Sequence, residues 1–112
     1  LVKFFFVEDL EYEPELLVAK KMTPESALAA LGVSSQRLSG LSAFDEESLE
    51  TLLRPLAEEL GLKAGQLFSI LRTAVTGETA TPPLFQTMTV LGRERCLKRI
   101  DEALEKLRKL SS

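Results

Sequence analysis

The leucines between residues 45 and 61 constrain this chain more than any other feature. Leu49, Leu52, Leu53, Leu56 and Leu60 fall at i, i+3, i+4, i+7 and i+11. That spacing makes one apolar stripe on a helix and would scatter the side chains over both faces of a strand. Asp45 stands where a capping oxygen is needed, and Gly61 stands where a helix stops. Pro55 lies inside the stripe. It removes a backbone donor and crowds the preceding turn, so it is expected to kink or interrupt the helix.

The rest of the chain carries the same punctuation. Thr23-Pro24-Glu25 supplies a capping oxygen, a first-turn proline and an acid. The helix it opens is expected to run through Ala30 and stop at Gly32. Ser34 or Ser35 then caps a short helix toward Leu41. A helix from about Ala64 to Thr76 has the stripe Leu67, Ile70, Leu71, Ala74 and Val75, with Gly77 as its stop. A short helix from Pro83 to Val90 follows. The last one begins near Gly92 with the stripe Cys96, Ile100, Ala103, Leu104 and Leu107, and its final turn carries Lys106, Arg108 and Lys109. Strand signals are poor. Only Leu1–Val7 has the apolar, aromatic content for one, and it is read as an extended segment packing its phenylalanines onto the helices. The expected fold is all-α, a bundle of about five to seven short helices. The whole of 1–112 is read as one domain, with an acidic part over 1–53 and a basic part over 54–112.

Composition removes most chemistry. There is no histidine, which excludes Ser-His-Asp and Cys-His arrangements and imidazole bases or metal ligands. The single cysteine, Cys96, excludes an internal disulfide and a cysteine-rich zinc site. It lies on an apolar stripe and reads as a buried, inert hydrophobe. No catalytic or metal-binding residue is assigned. The acids at Asp45-Glu46-Glu47 and Glu58-Glu59 read as solvated helix faces. Lys21-Met22-Thr23 is followed by Pro24-Glu25, which makes a helix start and not a nucleotide-binding lysine loop. No apolar run is long enough for a membrane span, and the reducing cytoplasm is the expected compartment. The Leu1 start is read as that of a piece of a larger protein.

The net charge of -3 argues at first against a nucleic-acid partner. It conceals a division. Residues 1–53 carry ten acids against four bases, whereas 54–112 carry ten bases against seven acids. One stretch of the basic part stands out, Leu71–Phe85. Arg72 interrupts an apolar helix end, a loop of threonines and prolines follows, and Leu84-Phe85 opens the next helix. A planar guanidinium, hydroxyls and an aromatic ring are the groups that read splayed RNA bases. From the residues alone Phe85 is read as core. Arg72 stays open between an ion pair and an RNA contact.

Several blocks in order resemble the C-terminal anticodon-binding domain of bacterial-type glutamyl-tRNA synthetases. They are RPLAEELGLKAGQLFSILRTAVTG at 54–77, TPPLF at 81–85, LGRERCLKRIDEAL at 91–104 and FFFVEDLEY at 4–12. Residues 13–53 match only loosely. The resemblance implies a helical domain that grips a tRNA anticodon loop. Arg72 would contact an anticodon base, and Thr81, Leu84 and Phe85 would line the base pocket with Pro82 between them. Arg54 would be a second arginine at the site. Lys63, Arg93, Arg95, Lys98 and Arg99 are secondary candidates for phosphate contacts. No cofactor is implied for the fragment. For the parent, taken as monomeric, ATP and Mg2+ are implied, with tRNA-Glu as partner and no membrane. The alternative is a helical protein-interaction module that uses the acidic N-terminal half.

Overall fold

The computed structural model describes residues 3–80 and 82–111. Five α-helices follow one another: α1 (Pro24–Ser39), α2 (Glu46–Glu59), α3 (Ala64–Thr76), α4 (Leu84–Leu91) and α5 (Arg93–Ser111). Two short 3-10 turns precede them, at Lys3–Phe5 and Pro14–Leu17. The all-α expectation holds, and the described residues contain no strand.

The capping residues form the bonds their chemistry predicts. Thr23 accepts from the Ser26 amide at 3.0 Å, and the Ser26 hydroxyl accepts from the Thr23 amide at 2.9 Å. This reciprocal box satisfies two of the orphan donors at the start of α1. Asp45 accepts from the Ser48 amide at 2.8 Å to open α2, a bond that holds its carboxyl below the usual carboxylate range. At the other end of α2, Gly61 adopts φ +73°. Its amide donates to the Glu58 carbonyl at 3.0 Å, and the Leu62 amide donates to Ala57 at 2.9 Å. These two bonds are a Schellman closure.

Three expectations are corrected. α1 does not stop at Gly32 but runs to Ser39, and the short helix expected from Ser34 or Ser35 is its second half. Ala27, Ala30, Leu31, Ser34 and Leu38 are all buried, so one stripe crosses the glycine. A mid-helix glycine costs only about 1 kcal/mol relative to alanine, less than burying one leucine returns. α2 is not interrupted at Pro55. Pro55 and Thr51, four residues earlier, both lie on the solvent face, where the carbonyl that loses its partner can bond water. The first segment is not extended over its described part but turns as a 3-10 helix. It buries Phe4, leaves Phe5 half-buried and exposes Phe6 at 74%. Leu1 and Val2 lie outside the described residues.

The stripes of α3 and α5 are buried throughout, as are Leu49, Leu53 and Leu56 of α2. α1 and α5 form the most extensive helix pair. α2, α3 and α4 pack on one another beside it and leave a corner where the end of α2, the outer face of α3 and the start of α4 meet.

Candidate nucleic-acid interface

The corner is built around a residue that the sequence reading missed. Phe68 lies in α3, one position off the buried stripe, and is half-buried. Its ring meets Phe85 of α4 edge to face, with centroids 5.2 Å apart and planes at 81°. The Arg54 guanidinium of α2 also lies over the Phe68 ring, 5.4 Å from its centroid. Phe68 therefore joins two predicted site residues, Arg54 and Phe85, into one cluster of a cation and two rings. Arg72 is four residues further along α3, on the same helix face as Phe68. The available signal was an aromatic at i-4 from Arg72 that no core stripe claims.

The corner has three electrostatic features. Arg54 is half-exposed and donates from Nε to Glu50 Oε2 at 2.6 Å. An anionic ligand has to compete with that carboxylate. The last turn of α3 is cross-braced. The Thr76 hydroxyl donates to the Arg72 carbonyl at 2.6 Å and accepts from the Glu78 amide at 3.0 Å. Gly77 ends the helix at φ +75° with its amide on the Thr73 carbonyl at 2.7 Å. The loop beyond returns to α4 through Pro82, which is exposed and whose carbonyl accepts from the Thr87 hydroxyl at 3.3 Å. The arrangement offers guanidinium groups and aromatic edges at one surface.

Not every predicted site residue faces that surface. Leu84 is 4% exposed and belongs to the core beneath the corner, so it shapes the site from below. Thr81 lies outside the described residues. The secondary phosphate candidates divide. Arg99 is 1% exposed and is withdrawn from that role, because its guanidinium is spent on three backbone carbonyls. Arg95 donates to the Phe5 carbonyl at 2.9 Å, and Lys98 lies 3.8 Å from Asp9. Arg93 stacks 5.6 Å from the Phe44 ring. Lys63 is exposed at the start of α3.

Burial pushes the Cys96 thiol up to about 12, against any nucleophilic use. Among the described residues no group of three or more acids or thiols could hold a metal ion. No helix among them is long and apolar enough to cross a membrane.

Known proteins share the sequence and the fold of this chain. A family model described as an anticodon binding domain matches residues 1–104. The chain is 52% identical over 109 residues to a glutamate–tRNA ligase of Dehalococcoides mccartyi, covering 97% of this chain and 22% of that protein. It is 46% identical over 107 residues to the glutamate–tRNA ligase of Roseiflexus castenholzii, covering 96% and 21%. The crystal structure of a glutamate tRNA ligase from Elizabethkingia meningosepticum superposes with a TM-score of 0.77 at 26% identity, over 94% of this chain and 20% of that one. The chain thus spans about a fifth of the length of the relatives it matches.

Proposed function

Since the chain belongs to the anticodon binding domain family, we propose that its α2–α3–α4 corner reads the anticodon loop of tRNA-Glu as part of a glutamate–tRNA ligase. The observation that carries this reading is the Arg54–Phe68–Phe85 cluster with Arg72 on the same face. Splayed bases need such flat surfaces, and guanidinium groups supply donors for base edges and phosphates. Arg72 bonds a base edge, and Phe85 and Phe68 give apolar contact. Pro82 forms the rim, and Leu84 supports the floor. Arg54 meets the RNA backbone once Glu50 yields it. The names of the relatives support the amino acid and the tRNA.

The ligation reaction would use ATP and Mg2+ in a monomeric enzyme. We assign no step of that chemistry to the residues of this chain. Their contribution is recognition, made by differential contact with the right bases.

The test is a fluorescence titration of the chain with a tRNA-Glu anticodon stem-loop. Stacking and bonding of this type contribute about 1–3 kcal/mol per base. Arg72→Ala and Phe85→Ala should therefore each weaken binding by roughly tenfold or more. Unchanged affinity in both variants would sink the reading. A salt slope that survives with no dependence on anticodon sequence would leave only non-specific attraction.

A further inference from the structure

We propose that Arg99 is a positioning residue for anticodon recognition. It seats the C-terminal turn of α3, which leads out of Arg72 into the proline loop, against the segment Phe4–Val7. The inference rests on the anticodon reading above and deepens it.

Arg99 is the largest buried polar side chain in the molecule's described part. Nη1 donates to the Val75 carbonyl at 2.7 Å. Nη2 donates to the Phe4 carbonyl at 2.6 Å and the Val7 carbonyl at 2.9 Å. Val75 supplies one of the last four carbonyls of α3, which have no partner inside the helix, so a cation there also meets the negative end of the helix dipole. A planar fork can serve carbonyls from two directions at once, and a lysine ammonium has no such fixed geometry. Burial lowers the pKa of Arg99 from its ordinary value, but a guanidinium remains charged. Leaving it without these carbonyls would strand a buried charge.

The bond at Val75 sits beside the braces of the site. Thr76 follows it, with its hydroxyl on the Arg72 carbonyl and under the Glu78 amide. Gly77 then packs against Tyr12 and Leu10, with space for a Cβ only 3.3 Å from the Tyr12 ring. Arg95 and Lys98 hold the same N-terminal segment from α5, through the carbonyls of Phe5 and Glu8. Neither of these bonds touches α3. Arg99 spans both, so a shift of the segment reaches α3 through it. Arg99 itself is too buried to meet RNA, and its influence on recognition is indirect.

The experiment compares wild-type chain and Arg99→Lys. Each is titrated with the tRNA-Glu anticodon stem-loop and with a stem-loop whose anticodon bases are replaced, and each is checked for folding by circular dichroism. Arg99→Lys is expected to lose most of the discrimination between the two RNAs. A folded Arg99→Lys that discriminates as wild type does would overturn the proposal. A second measurement does not depend on the variant folding. Coupling is reciprocal, so saturating the wild-type chain with the cognate stem-loop should slow amide hydrogen exchange over Phe4–Glu8. Unchanged exchange there would overturn the coupling. A wild-type chain that fails to distinguish the two stem-loops would overturn the anticodon reading itself, and the coupling with it.

Discussion

One substitution, glycine to alanine, is expected to act with opposite signs at two positions. Gly32 lies inside α1 with nothing within 4 Å of where a Cβ would stand. Alanine there loses less backbone entropy on folding, so Gly32→Ala should stabilise the chain by about 0.5–1 kcal/mol. Gly77 has φ +75°, and its Cβ would stand 3.3 Å from the Tyr12 ring. A left-handed conformation costs an alanine about 1–2 kcal/mol. The ring also has to give way, and it is pinned on one side by Lys106, whose ammonium lies 5.1 Å from its centroid. Gly77→Ala should therefore destabilise by about 1–3 kcal/mol. For a chain of this length the unfolding entropy converts each kcal/mol into about 4 °C. Melting curves followed by circular dichroism should place Gly32→Ala a few degrees above wild type, and Gly77→Ala roughly 4–12 °C below it. A Gly32→Ala protein that melts below wild type would return Gly32 to a helix stop and refute the continuous α1. A neutral Gly77→Ala would refute the packing of residues 10–12 on the end of α3.

Three further outcomes are expected. Leu84→Ala should cost about 2–5 kcal/mol in denaturant unfolding, since that side chain is core, whereas Phe85→Ala should lower RNA affinity at a smaller cost in stability. Glu50→Gln should release Arg54 and tighten stem-loop binding, most visibly at low salt, with stability changed by less than about 0.5 kcal/mol. Burial with the Glu102 charge pushes Tyr12 up to about 12, from an ordinary value of 10.0. The unfolded chain then releases this proton first, so this contribution to stability is complete below pH 10 and drains away as pH rises toward 12. Alkaline melting curves on Tyr12→Phe should lose that part of the decline.

The helices that the sequence made legible are those whose stripe and caps agree. α3 runs from Ala64 to Thr76 as expected because its apolar stripe and Gly77 agree on where it ends. Gly32 misled because local propensity and the long stripe disagreed, and burial of Leu31 and Leu38 outweighed the glycine. Pro55 misled because its effect depends on which face it occupies, and a periodicity argument does not weigh the solvent side separately. At the site, Arg54 and Phe85 were legible through family blocks, but the ring that joins them was not. Phe68 gains its meaning from neighbours on two other helices, and no spacing within α3 reports them. Arg99 was misread for the same reason. On its own helix it is one more cation in RERCLKR, and its three carbonyls lie 24 to 95 residues away.

That separation also sets an order of events when the chain is made. The carbonyls of Phe4 and Val7 leave the ribosome well before the side chain that satisfies them, which is 95 and 92 residues behind. Closing so long a loop adds entropy cost only slowly with length, but the contact cannot exist before α5 does. Until then the last turn of α3 has one of its end carbonyls without this donor, and Phe4 has no α5 to fold against. The Phe4–Val7 segment is thus synthesised before α5 and fixed only with it.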